Sequence, residues 1–255
     1  MGTPCRGAAL RWVHEPTANG GSAMGRAKRE QQEQAVKATR KRWLVIAGVV
    51  AAALVTAYLL AHVGQRSSSV MSEAGVPRVG NSTAPLHVYL FEDYQCPICR
   101  HYEMDGGAAA FQAKWVATGR VLVFYKHLTF LDARSPSGHD STNAGMASLC
   151  VNHLDPTDWA SWNHLIFQNQ GAEGSGWATP QFLRQTTSDW GHVDMNAYDA
   201  CLAGQGFDAA AVLATDKANG DAAGVTGTPT MVIAGSPINA SDPSAVDAAI
   251  AQALG

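Results

Sequence analysis

Two cysteines placed where a strand runs into a helix constrain this sequence more than any other feature. Leu86-His87-Val88-Tyr89-Leu90-Phe91 reads as a largely buried strand, and Glu92-Asp93-Tyr94-Gln95 lead from it into Cys96-Pro97-Ile98-Cys99. Pro97 suits the first position of a helix, where its missing N–H would have had no partner anyway. The helix is expected to run toward Thr118, interrupted or kinked at Gly106-Gly107. Val121-Leu122-Val123-Phe124-Tyr125 then reads as a second buried strand. A βαβ unit of this length implies parallel pairing with a right-handed crossover.

The rest of the body has a different rhythm. Residues 139–221 contain no convincing strand and read as four or so helices, with apolar faces on segments such as His153–Gln168 and Thr179–Trp190. Strand signals return at Pro229-Thr230-Met231-Val232-Ile233. A Gly-Ser-Pro turn, a short run near Ile238 and an amphipathic helix over 243–254 follow, with Asp242 as N-cap and Pro243 behind it. The fold class expected is α/β with a mixed sheet: a βαβ half and a ββα half separated by a helical insertion.

Charge divides the chain. Residues 1–42 carry nine Lys/Arg against three acids, whereas residues 77–255 carry eight against seventeen. An acidic body is a poor partner for nucleic acid, which needs a cationic surface. Between them, Trp43 to Val63 is an apolar stretch without Lys, Arg, Asp or Glu, long enough for one membrane-crossing helix. Arg40, Lys41 and Arg42 abut its start. The positive-inside rule then puts the N-terminus in the cytoplasm and the body outside, on a single-pass anchor in the cell membrane. A cleaved signal peptide is the rival reading, though the apolar run exceeds the usual signal core. The expected organisation is a disordered basic head (1–42), an anchor (43–63), a polar tether (64–76) and one domain (77–255). Within the head, Met24 opens a compact basic segment, and residues 1–23 read as having no structural role.

Cys5 lies in the head and reads as an inert thiol; the other four cysteines lie in the exported body. At a helix N-terminus, orphan N–H groups and the dipole favour a thiolate, so Cys96 is the expected nucleophile. Cys99, one turn inward, can attack a mixed disulfide on Cys96 and is the expected resolving thiol. A structural zinc site would want two such ligand pairs, and Cys150 and Cys201 stand alone. A bond from either of them to the redox pair would abolish turnover. That leaves Cys150–Cys201 as a structural disulfide stapling the insertion. No phosphate-binding glycine loop or convincing metal cluster is found, and no cofactor is expected.

Gly227-Thr228-Pro229-Thr230 taken alone reads as an ordinary trans turn. Taken with the run from Val79 through Cys99, it resembles the DsbA-like family of thioredoxin-fold oxidoreductases over residues 77–255. The resemblance implies a thioredoxin fold with its helical insertion, Cys96 as attacking thiol, Cys99 as resolver, and Pro229 as a cis-proline preceded by Thr228. Of the two acids before the motif, Asp93 matches the family's acidic position and is the expected proton relay, ahead of Glu92. The dipeptide between the cysteines is Pro-Ile, so Cys96 lacks the neighbouring imidazole of the strongest oxidants.

The expected function is thiol–disulfide exchange on newly exported, cysteine-containing proteins, with the pair acting as disulfide donor and reset by a membrane redox partner. A membrane-tethered reductase or isomerase is the alternative within enzymes. A non-catalytic, chaperone-like binding module is the alternative outside them.

Overall fold

The computed structural model describes residues 71–255 without a gap, together with residues 28, 29, 36, 37, 41, 43, 44 and 46–56. The chain divides into two units, Met1–Gly64 and Gln65–Gly255. The described residues of the first unit are helical, and Trp43, Leu44, Ile46, Val49 and Leu54 are exposed. Among the described residues no helix is long and apolar enough to cross a membrane. Of the expected anchor, residues 45 and 57–63 lie outside the described residues, as do most of the head and the tether up to residue 70.

The second unit is built on a five-stranded mixed sheet. Its strands are β1 (Arg78–Gly80), β2 (Leu86–Glu92), β3 (Val121–His127), β4 (Thr230–Ile233) and β5 (Ser236–Asn239), in the order β1-β3-β2-β4-β5. Only β2 and β3 run parallel, with Leu86 opposite Val121 and Glu92 opposite His127. Between them come α1 (Pro97–Met104), α2 (Gly107–Phe111) and a wider π turn over Gln112–Val116. The break between α1 and α2 falls at the glycine pair. Gly106 has φ 99°, and a Cβ on Gly107 would lie 2.9 Å from the Tyr102 ring.

Side chains of β2 alternate between two apolar layers. Val88 and Leu90 face the main core, which also takes Tyr102, Trp115, Trp159, Met231 and Ile250. Phe91 joins Met71, Leu128 and Val232 in the other layer. The insertion is five helices: α3 (Asp140–Leu154), α4 (Trp159–Gln168), α5 (Pro180–Trp190), α6 (Met195–Leu202) and α7 (Ala209–Ala223). Where one helix was expected from His153 to Gln168, the chain breaks after Leu154. Pro156 disfavours helical backbone at Asp155, which sits at φ −142°, ψ 81°. Trp159, Trp162 and Phe167 are buried, and Trp177 and Trp190 are partly exposed.

Two further expectations change in detail. The turn before the last strand is Ala234-Gly235, not Gly-Ser-Pro. Both residues have positive φ, as a two-residue primed hairpin requires, and Pro237 lies within the edge strand β5. The end of the expected tether is docked on the domain. Met71 and Val76 are buried, Glu73 Oε1 accepts hydrogen bonds from His87 and Tyr89 at 2.7 Å, and Lys126 donates to the Ser72 carbonyl. Lys126 is fully buried and lies 2.8 Å from Asp216 of α7, whose other oxygen accepts the His127 N–H at 3.0 Å. With both Asp216 oxygens accepting a hydrogen bond, this pair can offset part of its desolvation. The last helix, α8 (Pro243–Leu254), starts where Asp242 accepts the Ala245 N–H.

Cys150 of α3 and Cys201 of α6 are joined by a disulfide that closes a loop across a separation of 51 residues. Both are buried. Loop closure of that length restricts the unfolded chain by about 4 kcal/mol in the chain-entropy description. Replacing both cysteines with Ala is expected to lower unfolding free energy in urea by about 2–5 kcal/mol. Exchange chemistry at Cys96 should survive. Stability unchanged to within error would contradict the staple.

Candidate active site at the start of the first helix

Cys96 is the N-cap of α1. Its backbone is extended (φ −73°, ψ 118°), Pro97 occupies the first helical position, and its carbonyl accepts the Arg100 N–H at 3.1 Å. The turn that delivers it is tight: Cys96 N–H donates to the Asp93 carbonyl at 2.9 Å, and Asp93 Oδ1 accepts the Gln95 N–H at 2.9 Å. The Thr228–Pro229 peptide bond is cis, and the Thr228 carbonyl lies 3.4 Å from Cys96 Sγ. One loop thus brings Cys96, Cys99, Thr228 and Pro229 together from opposite ends of the domain. Cys96 and Cys99 are free thiols here.

The two thiols differ sharply. Hydrogen bonding from Cys99, reinforced by Thr228 and the Ile98 and Cys99 N–H groups, outweighs burial and brings the Cys96 pKa down from 9.0 to about 6. Thr228 Oγ1 is buried and has no well-formed hydrogen bond among the described residues. Cys99 is fully buried, and burial pushes its pKa well above the usual thiol range, with Cys96 and Glu92 adding to the rise. Near neutral pH the reduced pair is therefore a thiolate at Cys96 beside a thiol at Cys99.

Of the two acids before the motif, Glu92 is the one whose charge is coupled to both thiols, while Asp93, the expected proton relay, makes its hydrogen bonds elsewhere. Asp93 is buried but turned toward the insertion: Oδ1 accepts Ser141 Oγ at 2.6 Å and Oδ2 accepts the Leu131 N–H at 3.2 Å. Burial lifts its pKa to about 6 against the pull of those donors. Asp93 thereby ties the active-site turn to α3 and to the short turn Phe130–Arg134. Glu92, one residue earlier, points to the other side of the strand end. Both of its carboxyl oxygens are buried with no hydrogen-bond partner among the described residues. Its pKa is raised well above the carboxylate range by burial, then by Glu103 and Cys96. Burial also lifts Glu103 of α1 to about 7. The signal that separates the acids is the strand's period-two alternation, which turns successive side chains to opposite faces. His101 is exposed and paired with Asp105 at 2.5 Å.

Beside α1 lies a groove of about 370 Å³, with Tyr102, Phe111, Met231 and Val246 among its lining residues. Two ion pairs lie among its walls, His101–Asp105 and Lys114–Asp247, the latter at 2.6 Å. The site therefore offers a nucleophilic thiolate, a shielded second thiol and a protonated buried acid; the groove is lined from the far end of α1 and includes none of these residues.

Comparison with known proteins agrees with this arrangement. The sequence profile of the thioredoxin family matches residues 72–252. Disulfide bond formation protein D of Bacillus subtilis is 28% identical over 109 residues, which are 43% of this chain and 46% of that protein. A serine/threonine-protein kinase of Mycobacterium tuberculosis, PknE, is 37% identical over 94 residues, 35% of this chain and 16% of the kinase. The chain thus spans less than half the length of either relative. Oxidised BdbD from Bacillus subtilis superposes with a TM-score of 0.62 at 24% identity, covering 72% of this chain and 95% of that one, a likeness of fold. The chain belongs to the thioredoxin family.

Proposed function

We propose that this protein is a thiol–disulfide oxidoreductase that donates its Cys96–Cys99 disulfide to exported, cysteine-containing proteins. The observation that carries the reading is the asymmetry of the pair, a low-pKa thiol at the helix start and a fully buried high-pKa thiol behind it. A lowered pKa stabilises the dithiol above the point where Cys96 ionises, and a stabilised dithiol makes the disulfide an oxidant. That stabilisation is complete above the ordinary thiol pKa and is lost as pH falls through about 6.

In the forward reaction a substrate thiolate attacks Cys96 Sγ, and the Cys96–Cys99 bond breaks. Cys99 leaves as a thiolate and takes a proton, which the buried, protonated Glu92 carboxyl coupled to it can supply. A second substrate thiolate then attacks the substrate sulfur of the mixed disulfide and expels Cys96 as a stable thiolate. Two electrons pass from the substrate dithiol to the pair, and a membrane redox partner removes them to regenerate the disulfide. The Thr228 carbonyl, on the residue before the cis Pro229, stands beside Cys96 Sγ, where the substrate chain meets the pair.

Cys99→Ala is expected to accumulate mixed disulfides with substrate proteins, and Cys96→Ala to accumulate none. Non-reducing gels of cells carrying each variant read this directly. Adducts on Cys96→Ala alone would reverse the two roles, and adducts on neither would favour a binding module over an exchange enzyme.

The location follows from the basic residues before Trp43 and the apolar run to Val63, which support a single-pass anchor with the domain outside the cytoplasm. Protease added to intact spheroplasts should degrade the domain and spare a short N-terminal fragment. A domain that survives until the membrane is lysed would place it inside.

A further inference from the structure

The loop between α4 and α5 reaches the active-site turn with one side chain that touches it twice. Gln170 Nε2 donates to the Tyr94 carbonyl at 2.6 Å and to the Cys96 carbonyl at 3.1 Å. Two carbonyls facing one amide fix its orientation, since only the NH₂ end can satisfy both. The grip is returned from the other side. Gln95, between the two carbonyls, accepts the Gly174 N–H at 3.1 Å and donates to Ser141 Oγ at 2.9 Å.

The loop itself has no slack. A Cβ on Gly171 would lie 2.5 Å from Trp177 Cβ, and one on Gly174, at φ 73°, would lie 2.6 Å from the Arg134 carbonyl. Glu173 is also ion-paired to Arg134. Gln170 is only half buried, so its removal leaves no large cavity.

We infer that Gln170 is a positioning residue for the Cys96 nucleophile, an inference that rests on the exchange function proposed above. Cys96 is an N-cap, and its Sγ meets Thr228, Cys99 and the first helical N–H groups only if its extended backbone is held. Its carbonyl carries two donors, Arg100 N–H from the helix and Gln170 from the insertion. Without Gln170 the Tyr94 carbonyl loses its side-chain donor, and the turn relaxes to find another. The groups that act on Cys96 electrostatically are Glu92 at the end of β2, Cys99 on α1 and Thr228 before β4. None of them lies on the α4–α5 loop, so the loop reaches Cys96 through its backbone.

The test is the ultraviolet absorbance of the Cys96 thiolate, titrated in the full reduced protein with Cys150–Cys201 intact. Gln170→Met keeps length and bulk without a donor; Gln170→Glu keeps shape and turns a carboxylate on two carbonyls. The expected result is a Cys96 midpoint raised by about one pH unit in Gln170→Met, a tenfold loss of thiolate below the midpoint, and by more in Gln170→Glu. Thr187→Val, which removes the buried Trp162–Thr187 hydrogen bond within the insertion, is the control for general loosening. It should lower Tm without moving the midpoint. An unmoved midpoint in either folded Gln170 variant, or an equal rise in Thr187→Val, overturns the inference while leaving the exchange function standing. An ordinary midpoint near 9.0 in the unmutated protein overturns both.

Discussion

Everything in this structure that bears on chemistry depends on how one N-cap is held. Cys96 ends a turn and begins a helix, so the Ile98 and Cys99 N–H groups at the helix start favour negative charge on its sulfur. Pro97 gives the helix its start, Thr228 comes across from the strand β4 side, and Cys99 lies one turn deeper. The same arrangement that stabilises negative charge on Cys96 denies it to Cys99, because burial penalises a second thiolate. The absence of a histidine between the cysteines matters less when these other donors converge on the sulfur.

The helical insertion supplies much of the scaffolding. Ser141 and the Phe130–Arg134 turn bind Asp93, and Gly174 binds Gln95. Tyr94 OH reaches Ser148 at 2.9 Å and Asn163 at 2.6 Å, in a buried network that also includes His127 and Trp159. Burial holds that histidine neutral, its pKa lowered to about 3. A buried hydrogen-bonded network specifies geometry more sharply than apolar packing alone, and here only His127 Nδ1 lacks a partner among these groups in the described residues. The staple ties α3, which carries Ser148 of this network, to α6.

The sequence was most informative where chemistry and punctuation coincide. Strand, dithiol and proline-started helix could be read from residues 86–99, because each step has a local cause. The Asp242-Pro243 start of α8 was equally legible. The break after Leu154 had its signal in Pro156, and the hairpin at Ala234-Gly235 was masked by the more conspicuous Ser-Pro that follows. Asp93 drew the proton-relay role by matching a motif position, yet its oxygens accept from Gln95, Leu131 and Ser141. Glu92 was distinguishable only by asking which face of β2 each side chain takes. The contacts of Gln170 and the Lys126–Asp216 pair join residues about 75 and 90 positions apart, and no local pattern announces them.

If the reduced pair is a thiolate at Cys96 and a thiol at Cys99, its redox equilibrium must carry one proton near neutrality and two in acid. Equilibrating the Cys96–Cys99 pair with glutathione across pH measures this most directly. The expected potential falls by about 30 mV per pH unit above a break near 6, and by about 59 mV per unit below it. A single slope of about 59 mV per unit from acid to mildly alkaline pH would mean that Cys96 holds its proton as firmly as Cys99, and would contradict the account.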